Sequence, residues 1–118
     1  SGLTEEMFPM PIKKLLQGNF EDGRKRGLFI LLTFLKSLNF SNEYIIDRVT
    51  KWNNLNKPPL KENYVKGQLN WHLRQTRKIL PPNYSNESFY RDLKLLDDYT
   101  PSAKNPIAEV ARAFKRNN

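Results

Sequence analysis

The sequence predicts an all-α fold, a single compact bundle of about six helices. Apolar residues recur at helical spacing in several segments, no segment alternates with the two-residue period of a strand, and prolines and glycines separate the segments. A chain of 118 residues is one ordinary domain and can bury a core without disulfides or metal. We therefore expect one domain over residues 1–118, with a disordered opening at residues 1–6 and a C-terminal turn and helix at residues 99–118.

The composition excludes several classes of site. The chain has no Cys, so it cannot form a disulfide, an iron–sulfur cluster held by thiolates or a cysteine nucleophile, and we expect a cytoplasmic location. The longest apolar run, residues 28–35, is far shorter than the ~20 residues that span a bilayer, so no membrane contact is expected. The opening Ser1-Gly2 lacks an initiating Met, which suggests an excised domain with a cloning scar.

The net charge of +8 is concentrated in the middle of the chain. Residues 24–78 hold twelve basic and three acidic side chains, a net charge of +9, whereas the charges of the two flanking segments nearly cancel. A polyanionic partner should therefore contact the middle of the chain.

The first predicted helix is short. Pro11 suits its first turn and Gly18 its end, because proline pre-sets the backbone of a first turn and glycine accepts the left-handed conformation that follows a helix. Lys13 and Lys14 would project from it. The side chains expected to be buried are Ile12, Leu15 and Leu16.

The central helix is predicted to follow. Apolar side chains point in nearly every direction around a helix over residues 28–38, which indicates burial on several sides. Asp22 is the expected N-cap, and Arg24, Lys25 and Arg26 fall in the first turn, where they oppose the helix dipole. Free backbone N–H groups and clustered cations together favour an anion site, phosphate above all. The alternative is a basic turn that simply faces water.

Ser41 is the expected N-cap of a third helix, over residues 42–55. Within it Trp52 is in phase with Ile45 and Val49, so it should pack in the core. The alternative is that the edge of Trp52 offers a stacking surface for a nucleobase.

A fourth helix is predicted over residues 61–80. Its apolar stripe contains Val65, Leu69, Leu73, Thr76 and Leu80, with His72 at the edge. Trp71 lies more than about 100° from the middle of that stripe, on a side shared with Tyr64, Gln68 and Gln75. The polar arc contains Lys66, Asn70, Arg74 and Arg77. An indole beside amides and cations is typical of a base-stacking platform in a positive groove, although burial of Trp71 by another helix is the alternative.

Two more helices complete the predicted bundle. Pro81 and Pro82 end the fourth helix, and a fifth is predicted over residues 87–98, with Phe89, Leu93 and Leu96 buried. Asn105 and Pro106 then supply a cap and a first-turn proline for the last helix.

No catalytic residue is predicted. The single His72 has no Cys partner, adjacent acidic pairs such as Asp97 and Asp98 do not face each other on a helix, and no set of ligands has the spacing of a metal site. The glycines lack the spacing of a phosphate-binding P-loop. What remains is a binding role, with cations for phosphate, aromatic faces for bases and amides for base edges.

The motifs MFPMPIKKLL at residues 7–16 and GRKRGLF at residues 23–29, followed by PPL at 58–60 and PPNY at 81–84, resemble the helical C-terminal domain of the archaeo-eukaryotic primase large subunit. They are also similar to the primase X-type accessory subunit and to the helix-bundle domain of archaeal plasmid primase-polymerases. The resemblance covers roughly residues 7–96. Pro11 and Tyr84 stand where the large subunit has iron–sulfur cysteines, so the resemblance is to a branch without the cluster.

This resemblance implies that Arg24, and less directly Arg26, holds the triphosphate of the initiating nucleotide. We therefore expect a non-catalytic primase module that binds single-stranded DNA template and ATP or another nucleoside triphosphate, which Mg²⁺ could accompany. The expected triphosphate ligands are Arg24, Lys25, Arg26, Lys13, Lys14, His72 and Arg77. The expected strand contacts are Trp71, Tyr64, Gln68, Gln75, Lys66, Asn70, Arg74, Lys78 and Trp52.

The expected partner is a primase catalytic domain or subunit, and the isolated domain should be monomeric. A rival interpretation is a helical adaptor that docks a primase to a helicase or another subunit. A helix-turn-helix reader of duplex DNA fits less well, because the connection before residue 61 is long and contains two prolines. A free-standing enzyme fits least, because no catalytic constellation is visible.

Overall fold

The computed structural model describes residues 2–117, apart from the side chain of Asn117. A single turn of 3-10 helix, Glu5–Met7, precedes five α-helices: α1 (Met10–Leu16), α2 (Arg24–Ser37), α3 (Asn42–Asn54), α4 (Glu62–Arg74) and α5 (Pro106–Asn117). The described part of the chain contains no strand. The all-α prediction is confirmed, and the expected count of about six is high by one helix. Within residues 2–117, no helix combines the length and apolar character needed to cross a membrane.

Helix α2 is the centre of the fold and contacts each of the other four α-helices. Its middle carries side chains that are at most 1% exposed, namely Leu28, Ile30, Leu31, Leu32, Phe34 and Leu35. The prediction of a helix buried on several sides is confirmed. The core forms around α2 because only this helix is apolar around most of its circumference.

Trp52 joins three helices at one point. Its indole is 0% exposed, and Nε1 donates a hydrogen bond of 2.8 Å to the carbonyl of Leu15. On the α2 side the neighbour is Gly27, where an added Cβ would lie 3.0 Å from the indole. Trp52 is therefore a core residue, and its alternative assignment as a stacking surface for single-stranded DNA is wrong because no face of the ring reaches solvent.

The opening of the chain is partly ordered, contrary to the expectation for residues 1–6. Glu5 accepts hydrogen bonds of 2.6 Å from Tyr44 and from Arg48 on α3. Burial alone would raise the pKa of Glu5, but the bonds from Arg48 and Tyr44 outweigh it and hold that pKa below its usual value. Ser1, at the expected cloning scar, lies outside the described residues.

Two predicted helix caps are confirmed. Ser41 accepts a hydrogen bond of 3.1 Å from the backbone N–H of Tyr44 at the start of α3. Asn105 accepts one of 2.8 Å from the backbone N–H of Ile107 at the start of α5. Each cap satisfies a backbone donor that has no partner within its helix.

The start of α2 differs from the prediction. Its N-cap is Gly23 in the left-handed conformation, with φ of 78°, and no side chain caps the helix. The carboxylate of Asp22, the expected cap, instead lies 3.6 Å from the guanidinium of Arg26. The positive φ sends the chain into the helix one residue later than expected, a conformation that glycine adopts at little cost.

Helix α4 ends at Arg74, six residues before the predicted end. The ammonium of Lys36, on α2, donates hydrogen bonds to the carbonyls of His72, at 3.1 Å, and Gln75, at 3.0 Å. The backbone of Gln75 is already extended, with ψ of 131°. A cation that satisfies the last carbonyls of a helix stabilises its end, so Arg77 and Lys78 lie beyond α4 instead of on its surface.

The helix predicted over residues 87–98 is a chain of turns. Lys94 and Asp98 have φ of 60° and 58°, outside the helical region. The side chains of Tyr90 and Leu95 are 0% and 1% exposed, yet positions five apart on an α-helix would point about 140° away from each other. The turns allow both side chains to enter the core, which a continuous helix would prevent.

A buried carboxylate joins α5 to the segments on either side of these turns. Glu109 accepts hydrogen bonds from the hydroxyl of Tyr84, from the hydroxyl of Tyr99 at 2.7 Å and from the backbone N–H of Ser102 at 2.8 Å. Burial, and next the bond to Glu109, raises the pKa of Tyr99 to about 12. The network satisfies the carboxylate, so its burial is tolerated.

Candidate nucleic-acid interface

The N-terminus of α2 forms the positive end of the candidate site. Its first turn carries Arg24, Lys25 and Arg26, contains no acidic residue and has no side-chain cap. The first backbone N–H groups of a helix have no acceptor within it, and the dipole adds about half a positive charge. An arrangement of this kind favours an anion.

The three cations of this turn point to different partners. Arg24 donates to the carbonyl of Pro58 at 2.5 Å, and Arg26 donates to the carbonyl of Ser88 at 2.6 Å. The ammonium of Lys25 lies 4.6 Å from the centre of the Tyr64 ring. Arg24 and Arg26 thus hold neighbouring loops, and Lys25 is the exposed cation on the α4 side.

A concavity of about 450 Å³ opens between α2 and α4, and we call it the Tyr64 pocket. It brings together two helix N-termini, because Lys61, the uncapped N-cap residue of α4, lies beside the first turn of α2. Its lining residues are Arg24, Lys25, Pro58, Pro59, Leu60, Lys61 and Tyr64. Three cations and two positive dipole ends make this the part of the described surface best suited to a polyphosphate.

A smaller concavity of about 240 Å³ adjoins the Tyr64 pocket and shares Arg24, Lys25 and Leu60 with it. Arg26 lines this second hollow, together with Glu21 and Asp22. The two carboxylates weaken its attraction for anions, so the Tyr64 pocket is the stronger candidate.

One face of α4 carries the predicted strand contacts. Tyr64, Gln68 and Trp71 are spaced i, i+4 and i+7 and therefore share a face, which we call the α4 stripe. Trp71 is 53% exposed, so the alternative that another helix buries it is wrong. Lys25 covers one side of the Tyr64 ring, which leaves Trp71 as the more accessible aromatic surface.

His72 supports Trp71 from below instead of contacting a ligand. It is 4% exposed, and its ring packs edge-on against Trp71 at 4.9 Å and against Phe29 at 5.7 Å. Burial, and next the charge of Lys36, lowers the pKa of His72, so the ring is neutral near pH 7. The prediction that His72 binds the triphosphate is wrong because the side chain is enclosed.

Arg77 and Lys78 lie at the opposite end of the α4 stripe from Arg24. They line a hollow of about 130 Å³, which we call the Arg77 pocket, with Lys36, Asn39, Gln75 and Thr76. Lys36 is twelve residues beyond Arg24 on α2, a separation of about 18 Å along the helix axis. One triphosphate cannot span that distance, so Arg77 and Arg24 do not hold the same phosphates as predicted.

The remaining predicted residues lie away from the two pockets. Lys14 donates to the carbonyl of Asp97, and Lys13 lines a shallow hollow with Glu5, Glu6 and Leu16. Lys66 pairs with Glu62 at 2.8 Å, on a side of α4 about 160° from Tyr64. Asn70 and Arg74 are exposed, between these two sides of α4.

Lys61, Pro58 and Pro59 line the Tyr64 pocket but were not predicted as site residues. Lys61 could have been predicted from the sequence, because a cation directly before a predicted helix lies near the positive end of that helix. The two prolines could not, since their position beside α2 depends on how the loop between α3 and α4 folds back.

An apolar groove of about 400 Å³ lies between α3 and α4, on the side of α4 that faces away from the α4 stripe. Ile46 on its rim is 45% exposed. Its lining residues are Ile46, Thr50, Asn53, Asn54, Pro59, Leu60, Glu62, Val65, Lys66 and Leu69.

Within residues 2–117, no three His, Asp or Glu side chains cluster closely enough to hold a metal ion. Carboxylates are also missing from the lining of the Tyr64 pocket. Comparisons of the chain with protein-family models, with curated proteins and with solved structures find no match.

Proposed function

We propose that this domain is a non-catalytic primase module that binds a single-stranded DNA template and a nucleoside triphosphate, and that it acts in the cytoplasm beside a primase catalytic domain or subunit. The observation that supports it most is the contact between Lys25 and Tyr64. It joins the cationic end of α2 to the aromatic face of α4, so phosphate ligands and base-stacking groups share one surface.

The Tyr64 pocket is the proposed binding site for the phosphates of the nucleotide. Arg24, Lys25 and Lys61 surround a hollow that two helix N-termini also line. Charge-assisted hydrogen bonds from such groups are about twice as strong as neutral ones. ATP or another triphosphate would bind here, and Mg²⁺ would arrive with the phosphates, because the pocket lining has no carboxylates to hold the ion alone.

The exposed indole of Trp71 is the proposed stacking surface for a template base. Trp71 offers an open ring face two helical turns along α4 from Tyr64, with Gln68 between them on the same face. Stacking of a base on an aromatic ring contributes about 1–3 kcal/mol and tolerates any base. The amide of Gln68 can donate to and accept from a base edge.

The module would act through proximity. Template and nucleotides must meet before any primer exists. A surface that holds both converts an encounter of several free molecules into a reaction within one complex. No residue of this domain need take part in bond formation.

The test is a titration of a labelled single-stranded oligonucleotide at several salt concentrations. The logarithm of affinity should fall with the logarithm of salt, by a slope of about 0.7 for each strand phosphate that the surface neutralises. Binding that is absent, or that does not depend on salt, would remove the proposal.

A second candidate is the helical adaptor, which the groove between α3 and α4 favours, because Ile46 leaves apolar surface open on its rim. An adaptor predicts no salt-dependent oligonucleotide binding. Amide shifts in a titration with ATP and Mg²⁺ separate the two, since the primase module predicts shifts at Arg24, Lys25 and Tyr64 and the adaptor predicts none there.

A further inference from the structure

The α4 stripe connects two separate cationic pockets. Tyr64, at one end, lines the Tyr64 pocket, and Gln75, three turns further along the same face, lines the Arg77 pocket. Helices α2 and α4 run in the same direction, because Lys25 contacts Tyr64 near their N-termini and Lys36 contacts Gln75 near their C-termini. Lys25 and Lys36 on α2, like Tyr64 and Gln75 along α4, are eleven residues apart and so differ by only about 20° around the helix axis. Both pockets therefore lie along the same side of this helix pair.

The separation of the pockets is too large for one nucleotide. Tyr64 and Gln75 are eleven residues apart, which is about 16 Å along α4. Successive phosphates of a stacked strand advance by about 3.4 Å along the helix axis, so about five steps, joining about six nucleotides, cover this distance, and fewer where the strand is extended. Trp71 lies between the two ends, where a base of such a strand would pass.

We propose that Arg77 and Lys78 bind the backbone phosphates of the template strand, which passes over Trp71 and ends at Tyr64, beside the triphosphate in the Tyr64 pocket. The inference rests on the proposed function and adds a defined site size of about six nucleotides, from the rise per nucleotide along a stacked strand. Arg77 and Lys78 are suited to this role because both side chains are exposed. Lys36, in the same hollow, already donates hydrogen bonds to two carbonyls, so we do not assign it a phosphate.

The experiment measures the affinity of the full chain for labelled oligothymidylates from about two to about ten nucleotides long. The variant is Arg77→Gln with Lys78→Gln, and both residues lie on the surface outside any helix, so the fold should persist. The matched control is Lys115→Gln with Arg116→Gln, which removes the same charge from exposed positions of α5, outside both pockets.

For the wild type, affinity should rise with length up to about five or six nucleotides and then level off. The variant should bind the shortest strands as the wild type does and should lose affinity only for the longer ones, with the salt slope reduced by about 1.4, for two phosphate contacts. The control should follow the wild type in length dependence.

Equal losses at every length, or no loss at any length while the wild type still binds in a salt-dependent way, would overturn the inference and leave the proposed function standing. A wild type that shows no salt-dependent binding to any oligonucleotide would overturn both.

Discussion

The ammonium of Lys25 lies 4.6 Å from the centre of the Tyr64 ring, so the first turn of α2 and the first turn of α4 are in direct contact. Its two neighbours in sequence have other partners, since Arg24 bonds to the loop at Pro58 and Arg26 to the turn at Ser88. One basic triplet therefore serves two purposes, because Arg26 secures the fold, Lys25 faces the candidate ligand, and Arg24 bonds to a loop while it also lines the Tyr64 pocket.

Substitutions in this triplet should separate binding from stability. Lys25→Gln should weaken the binding of ATP with Mg²⁺ by about 1.5–3 kcal/mol, the range for a hydrogen bond to a charged group, and should leave the free energy of unfolding close to that of the wild type. Isothermal titration calorimetry and urea unfolding measure the two effects.

Arg26→Gln is the matched comparison, since it removes the same charge one residue away. It should lower the free energy of unfolding by about 1 kcal/mol through the lost bond to Ser88, with a smaller effect on ATP affinity than Lys25→Gln. The assignment of Lys25 would be wrong if both variants reduced ATP affinity equally.

The two tryptophans should behave in opposite ways. Trp71→Ala should reduce the affinity for single-stranded DNA by about 1–3 kcal/mol with little change in stability, because the side chain is 53% exposed. Trp71→Phe should retain part of the affinity. Fluorescence anisotropy and urea unfolding provide the two readouts.

Trp52→Ala should instead lower the free energy of unfolding by about 3–5 kcal/mol, because it empties a core site and removes the hydrogen bond from the indole to the carbonyl of Leu15. DNA affinity of the folded fraction should be unchanged. Strong loss of DNA affinity in Trp52→Ala at wild-type stability would contradict this assignment.

Substitutions at two glycines test the backbone conformation at the start of α2 and within α4. Gly23→Ala should destabilise the fold by more than about 1 kcal/mol, because its φ of 78° is unfavourable for alanine and the new Cβ would lie 2.0 Å from a methyl group of Leu93. Gly67→Ala should stabilise the fold by about 0.5–1 kcal/mol, since it lies inside α4 and nothing is within 4 Å of the added carbon. Thermal unfolding measures both effects. A higher unfolding temperature for Gly23→Ala, or a lower one for Gly67→Ala, would contradict the structure.

Stability should depend on pH through His72. Its folded-state pKa is below the ordinary 6.5, so as the pH falls the unfolded chain takes up the proton first. The contribution of His72 is therefore fully present above about pH 6.5 and is lost as the pH falls through the folded-state pKa.

The measurement is the unfolding temperature of the wild type and of His72→Phe between about pH 8 and pH 5. The variant keeps an aromatic ring against Trp71 but cannot titrate, so its loss over this range should be smaller. Glu5 titrates below its ordinary 4.5 and does not interfere. Parallel curves for the two proteins would show that His72 is not the group responsible.

Local patterns predicted much of the fold. The apolar circumference of residues 28–38 predicted the central helix, Ser41 and Asn105 predicted two caps, and the phase of Trp52 predicted its burial. Each of these features depends on neighbours within a few residues, which is the range that helical periodicity and capping describe.

Other features depended on contacts that are distant in the sequence. Lys36 ends α4 at Arg74 from thirty-six residues before His72, and the burial of both Tyr90 and Leu95 turns a predicted helix into a series of turns. Lys36 lies outside the segment that it changes, and the burial of Tyr90 and Leu95 depends on core residues from other parts of the chain. Helical propensity alone therefore extended α4 too far and predicted a helix where none forms.

For the candidate site, the sequence by itself determined the inventory: a basic triplet at a helix start, an indole out of phase with the core and a chain without cysteine. Tertiary structure alone decided which of these groups meet. Packing of α4 along α2 brings Lys25 to Tyr64 and encloses His72. The turn that contains Ser88 supplies the carbonyl to which Arg26 donates. Sequence alone did not decide these contacts, because the direction of a side chain at a helix surface depends on the segments that pack beside it.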